Sequence, residues 1–276
     1  MDRMKDYDKY TRILIYNIVS SLKGRETVLL GKSWAFRGIK AHNKSYLDKN
    51  LNRFGFSKKE MNIYYSLARL KNMPQLGFNL KKRKKQRKEF FDNYGKYVEG
   101  FDIGLDFDNH DKSIKGLTKA FNDTKKIKDY FDNYKVPYEL KCSGSGFHIN
   151  INSYVLDGLK EYELETISRK IKFYQSFVYQ LKMIFNLETL DESICDLQRI
   201  WKVPYSYDIK SGNIALPLTD NQFSSMKNSF DVVKPKNVIK NVKLFRRGLL
   251  ERNSGNIKGF ISFCNDYIEK LGEKDW

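Results

Sequence analysis

Residues Phe101-Asp102-Ile103-Gly104-Leu105-Asp106-Phe107-Asp108 alternate apolar and polar side chains, and a strand is the conformation that gives them one consistent apolar face. In a strand, Ile103, Leu105 and Phe107 point to one side and Asp106 and Asp108 to the other. The two carboxylates then stand one pleat apart, roughly 6–7 Å by strand rise. Acids that close repel each other and resist ionising together unless a cation lies between them. Divalent ions with oxygen ligands fill that position in phosphoryl-transfer sites. Asp102 has the same parity but lies two pleats earlier, roughly 13 Å from Asp106, which excludes it from the pair. A solvated strand end, followed by a turn at Asn109-His110-Asp111, carries the same triplet, so the pair needs support from elsewhere in the chain.

Hydrophobic residues make up 41% of the 276 residues. That suffices for a full core in one large domain or two packed modules and excludes a disordered chain. The net charge of +18 exceeds what solubility needs and points to a polyanionic partner, most simply nucleic acid. Enrichment in Lys also accompanies AT-rich genomes and hot habitats. Cys142, Cys195 and Cys264 lie far apart without a CxxC pair, so neither a disulfide framework nor a zinc ribbon is indicated. No run of eighteen apolar residues exists, and Met1-Asp2-Arg3-Met4-Lys5 is not the start of a signal peptide; a soluble cytoplasmic protein with no membrane partner is expected.

The spacing of Tyr7, Tyr10, Leu14, Ile18 and Leu22 predicts a helix over 5–23, and β-branched and aromatic residues predict a strand over Ile63–Arg69. Leu80-Lys81-Lys82-Arg83-Lys84-Lys85-Gln86-Arg87-Lys88 is the densest basic run, suited to a solvated face or to template contact. Leu117, Phe121, Ile127, Phe131 and Tyr134 suit a helix ending before Val136-Pro137. A hairpin is expected over 136–152, turning at Gly144-Ser145-Gly146. The most regular helical pattern covers 159–186, a strand-turn region covers 190–218, and two helical stretches close the chain, around Val238–Leu249 and Ile257–Leu271. Interspersed helices and hairpins indicate an α+β fold with mixed or antiparallel sheets.

Two further segments carry chemistry. In Ser143-Gly144-Ser145-Gly146-Phe147-His148, glycines let backbone N–H groups approach an anion and serines add hydroxyl donors, so the loop suits a phosphate, with His148 on the polar face of the next strand. A plain Gly/Ser hairpin turn has the same composition. From Leu190 to Gly212, Asp191 and Asp196 are interleaved with Arg199, Lys202 and Lys210; a third acid can complete a metal site, and cations can neutralise a polyphosphate. Surface ion pairs on a polar strand are the simpler use of such residues.

A DxD strand, then an SGxGxH hairpin, then an LD…KVPYS…KSG segment, in that order, resembles the archaeo-eukaryotic primase superfamily: primase small subunits, primase-polymerases and the polymerase domains of end-joining ligases. The resemblance covers about residues 101–218, with Tyr64–Arg69 a fainter match. It implies a primase catalytic core with an RRM-like module flanked by helices. The expected organisation is an N-terminal α/β module at 1–100, the catalytic module at 101–220 and a helical segment at 221–276. The resemblance makes Asp106 and Asp108 the paired metal acids. The third acid is Asp191, with Asp196 the runner-up, because the family's acid follows an apolar residue at a set distance before the K/R-x-P-x-S stretch. Ser143, His148 and the backbone of Gly144, Ser145 and Gly146 would bind the nucleotide. Lys202, Lys210 and Arg199 would meet its triphosphate. The implied cofactors are two Mg²⁺ or Mn²⁺ ions, with no zinc expected, since the family's zinc knuckle has no counterpart here. Tyr207-Asp208 stands where many members have histidine.

The activity implied is DNA-template-dependent nucleotidyl transfer from NTPs or dNTPs, making or extending primers on single-stranded or primed DNA. No GxxxxGK[ST] helicase motif is present, which leaves a separate helicase or large primase subunit as the protein partner, in a prokaryotic, plasmid or phage setting. The same acids would serve a metal-dependent nuclease or phosphatase, and the aromatic content would serve a non-catalytic single-stranded nucleic-acid-binding module.

Overall fold

The computed structural model describes residues 15, 18, 19, 24–40, 44–53, 61–73, 78–79, 84–108, 114–157, 166–227 and 229–240. The expected turn at 109–111, most of the expected helix over 5–23, and the closing stretch around 257–271 with Cys264 lie outside the described residues. In chain order the elements are β1 (Arg25–Gly31), β2 (Ala35–Lys40), α1 (Lys44–Arg53), β3 (Met61–Leu70), β4 (Phe78–Asn79), α2 (Lys84–Asp92), α3 (Tyr94–Tyr97), β5 (Val98–Phe101), β6 (Ile103–Asp108) and α4 (Ile114–Asn133). They continue with β7 (Glu139–Cys142), β8 (Gly146–Ile151), α5 (Ser153–Asp157), α6 (Ile167–Phe185), β9 (Ile200–Lys202), β10 (Leu216–Pro217), α7 (Asp220–Ser225) and α8 (Pro235–Lys240). The fold is α+β with antiparallel sheets, as the interspersed pattern requires.

The chain divides into two compact units. Among the described residues, one unit takes those up to Phe101, Leu197–Leu216 and those from Phe230 onward; the other takes Asp102–Asp196 and Pro217–Ser229. This differs from a division at 1–100, 101–220 and 221–276, because Leu197–Leu216 returns to the first unit, where β9 pairs with β3.

In the first unit the strand order is β4-β2-β1-β3-β5, with β9 also on β3. The ten-residue β3 is central: Met61–Arg69 pairs with β1, Ala68–Leu70 with β5 and Tyr64–Ser66 with β9. A buried polar knot locks this sheet. Glu26 is fully enclosed and accepts from Arg37 Nε (2.9 Å), Arg37 Nη2 (2.7 Å) and Gly38 N–H (2.8 Å). Tyr94 donates to the same carboxylate at 3.3 Å, and burial, reinforced by that carboxylate, pushes the phenol pKa upward. Arg37 also lies 5.0 Å from the ring centroid of Phe91, which ties α2 and α3 to β2.

In the second unit the order is β10-β7-β8-β6. The alternation over 101–108 does not form one strand. Phe101 ends β5 in the first sheet and Ile103 opens β6 in the second, because Asp102 between them is buried and accepts from Ser153 N–H (2.8 Å) at the start of α5 and from Asn150 Nδ2 (3.2 Å). The apolar face of β6 and β8 is covered by α4, with Phe121 6.0 Å from Phe147 and stacked 4.5 Å from Phe223 of α7. Of the helical pattern over 159–186, residues 159–165 lie outside the described residues, and Thr166, in extended backbone, caps α6 by accepting from Arg169 N–H, a bond that contributes about 1 kcal/mol. Asn186 ends the helix in the left-handed region (φ 46°).

One contact of this unit governs the segment that carries Asp191. Buried Asp123 of α4 accepts at Oδ2 from Glu188 N–H (2.8 Å), Thr189 N–H (2.9 Å) and Thr189 Oγ1 (2.9 Å). Asp123→Ala leaves these donors without their acceptor and is expected to cost about 2 kcal/mol, read as a shift in urea unfolding, with faster amide exchange at Glu188 and Thr189.

Candidate active site

Strand β6 is paired along both edges. On one edge Asp106 faces His148 and Asp108 faces Gly146 of β8. On the other, Phe107 bridges Leu190 in antiparallel sense, with Asp191 N–H donating to the Asp106 carbonyl (2.9 Å) and Asp108 N–H to the Thr189 carbonyl (3.0 Å). Phe107 and Leu190 are both buried, so Asp106 and Asp191 stand opposite each other on the polar face. Tyr174 of α6 closes the same edge at Gly104, accepting from its N–H (3.0 Å) and donating to its carbonyl (2.6 Å).

The register extends across the sheet. Lys141 of β7 faces His148, His148 faces Asp106, and Asp106 faces Asp191, a row of four on neighbouring segments. His148 Nε2 lies 3.3 Å from Asp106 Oδ1, and both His148 and Lys141 are buried. Lys141 is not among the candidate residues that the motifs select, although the alternation of Leu140 and Cys142 assigns it to the polar face. Asp191 Oδ1 accepts from Ser193 N–H (2.9 Å) and Ser193 Oγ (2.7 Å), capping the short 3-10 turn Glu192–Ile194. Asp196 follows that turn, off the row, so register brings Asp191 rather than Asp196 to the Asp106/Asp108 pair.

The Ser143–Gly146 turn works differently from an open phosphate cradle. Its ends are tied by Ser143 N–H to the Gly146 carbonyl (2.9 Å) and by Gly146 N–H to Ser143 Oγ (3.1 Å), so the Gly146 amide and Ser143 are engaged inside the hairpin. Gly144 takes the positive φ of the turn (103°), and Ser145 is half-buried beside it. Gly146 is needed for close approach: a Cβ there would lie 2.4 Å from the Phe107 carbonyl oxygen and 3.4 Å from Asp108 Oδ1. Its glycine makes room for the Phe107 carbonyl.

Arg199, Lys202 and Lys210 belong to the other unit. The Arg199 carbonyl accepts from Leu67 N–H (3.0 Å). Lys202 is buried and paired with buried Asp208 at 2.8 Å, whereas Lys210 is exposed in the turn that follows. Asp208 organises that turn by accepting from Ser211 Oγ (2.7 Å), while its carbonyl accepts from Gly212 N–H (2.8 Å). Burial raises the Asp208 pKa, but the Lys202 ammonium and the turn donors outweigh it and hold the carboxyl below the usual range.

The donor chemistry of the second unit is that which a hard divalent cation takes. Asp106, Asp108 and Asp191 offer carboxylate oxygens from one sheet face, and Mg²⁺ takes few protein carboxylates while keeping water and phosphate ligands. Among the described residues no three His, Cys, Asp or Glu side chains are grouped so that they could hold a metal ion together as they stand. Nor is any described helix long and apolar enough to cross a membrane. Compared with known proteins, the chain matches no family model, and no curated protein matches it significantly.

Two outcomes follow from this geometry. Gly146→Ala forces β8 away from β6 and is expected to cost about 2 kcal/mol in chemical denaturation, with amide exchange accelerated first at Asp108 and Phe147. Asp208→Asn strips the buried Lys202 of its counter-charge and should cost about 3 kcal/mol at neutral pH. Because the native carboxyl titrates below the ordinary 3.8, its stabilisation is complete above that value and lost as pH falls through the lowered one. The difference between the variant and the unaltered protein should therefore close in acid, as unfolding midpoints across pH would record.

Proposed function

We propose that this chain is a template-directed nucleotidyltransferase of the primase-polymerase type, joining NTPs or dNTPs on single-stranded or primed DNA. The observation that carries the reading is the register-built row in which Asp106 faces Asp191 with His148 against it, and Asp108 one pleat along. Three acids on adjoining strands of one face, beside a Gly/Ser turn, suit phosphoryl transfer better than simple binding, since bare carboxylates would repel a nucleic-acid backbone. The order of the motifs, and a four-stranded sheet backed by α4 and α6, support an RRM-like catalytic module of a primase core.

In this reading Asp106, Asp108 and Asp191 hold Mg²⁺ or Mn²⁺. When bound, the two ions supply activation of the attacking 3′-hydroxyl and stabilisation of the leaving pyrophosphate. His148, fixed between Lys141 and Asp106, orients the Asp106 carboxylate and presents imidazole to the nucleotide. Buried Lys141 offsets the negative charge that the facing acids concentrate. The cations that the resemblance assigns to the triphosphate, Arg199, Lys202 and Lys210, lie in the other unit, and of these Lys202 is already paired with buried Asp208. A helicase or large primase subunit would act in trans.

The test is incorporation of labelled nucleotide on primed and unprimed single-stranded DNA, with Mg²⁺ or Mn²⁺ and with NTPs or dNTPs. The Asp106→Ala, Asp108→Ala double variant is expected to lose activity by about a thousandfold or more while remaining folded. Normal incorporation by that variant would sink the assignment. Shortening of the DNA without any need for triphosphate would assign the same carboxylates to hydrolysis instead.

A further inference from the structure

The charge on α2 is arranged against the stability of the helix that carries it. Lys84, Lys85, Arg87 and Lys88 occupy its N-terminal half, where the helix dipole favours anions, while Glu89 and Asp92 stand in the half that favours cations. Lys84 and Lys88 are four residues apart, and Lys84 and Arg87, like Lys85 and Lys88, are three apart, so the cations also repel one another along the surface. All of Lys84–Glu89 is exposed, and no ion pair found among the described residues involves any of the four cations. The helix is nonetheless firmly based. Phe90 is buried, its ring is set edge-on 5.4 Å from that of Tyr94, and Phe91 lies beneath Arg37 of the buried knot.

A helix anchored at one end that concentrates exposed positive charge where it is locally unfavourable calls for an external polyanion. We infer that the exposed face of α2 is a docking surface for the phosphodiester backbone of single-stranded nucleic acid. The choice of partner rests on the nucleotidyltransferase reading, but the surface requires none of its metal chemistry. No apolar side chain is exposed over Lys84–Glu89 to enter a bilayer, which argues against an interfacial membrane helix. Contacts of lysine and arginine with phosphates carry no sequence information, so binding through this face is sequence-tolerant and strongly salt-dependent.

The experiment measures binding of the full chain to a labelled oligothymidylate strand in EDTA, without nucleotide, across a range of salt. Replacing Lys84, Lys85, Arg87 and Lys88 together by Glu is expected to weaken binding at low salt at least tenfold and to make the plot of log affinity against log salt shallower by about 3. The thermal midpoint should stay level or rise, since the reversal now suits the helix dipole. Replacement of the same four by Gln keeps helix-forming side chains and should fall between; it serves if the Glu variant does not fold. Unchanged affinity and slope in a folded variant would overturn the proposal, as would a change confined to anionic vesicles. If these variants bind DNA normally while the protein joins nucleotides, the surface assignment alone fails. If they lose DNA while no condition yields nucleotide joining, the polymerase reading alone fails.

Discussion

Fixed register on both edges of β6 is the constraint on which the candidate site depends. The side-chain period of a strand is two, so a slip of one residue would turn Asp106 and Asp108 into the core and Phe107 out of it. Three independent contacts oppose that slip. Phe107 and Leu190 bury together on the apolar face, Tyr174 satisfies both backbone groups of Gly104, and Asp123 holds the approach to Asp191 through Glu188 and Thr189. Each is satisfied in one alignment, and that alignment sets Asp106 against Asp191.

The row carries an electrostatic conflict that the rest of the unit contains. Like charges facing each other across adjacent strands are destabilising, and Asp106 and Asp191 are so placed. His148 and Lys141 continue the row on the other side, so charge runs from cationic through titratable to acidic across the sheet. Beneath it, the apolar face is closed by Phe121, Phe147 and Phe223, whose burial offsets the strain above. The result is a largely enclosed, oxygen-rich face on an aromatic support.

The first unit handles charge in the opposite way, by pairing it inside. Glu26 with Arg37 and Lys202 with Asp208 are buried couples, costly to break from one side and modest in net contribution when whole. Lys202 and Lys210, close in sequence, consequently differ in character: one is committed to a buried carboxylate, the other is free to meet solvent from a turn. On α2, four cations with no ion pair among the described residues are displayed from a helix whose aromatic base is fixed to that same Glu26–Arg37 knot.

Much of this was legible in the order of residues. Alternation over 103–108 and 138–151 identified β6 and the β7–β8 hairpin, and parity alone put Asp106, Asp108 and His148 on one face, because a strand's two sides differ in environment. The same parity held Lys141, whose neighbour across the sheet could not be read from it. Periodicity overran at 101, where burial of Asp102 against Ser153 sends β5 and β6 into different sheets, and it did not mark the break at Thr166, whose extended backbone caps α6. By itself, then, the sequence determined the α+β class, the polar face and the candidate residues, since these follow from local patterns. Tertiary structure alone decided that Asp191 stands opposite Asp106, that Gly146 makes room for the Phe107 carbonyl, and that Lys202 is enclosed by Asp208. Pairing register, close backbone approach and burial arise between segments distant in the chain, and no local pattern encodes them.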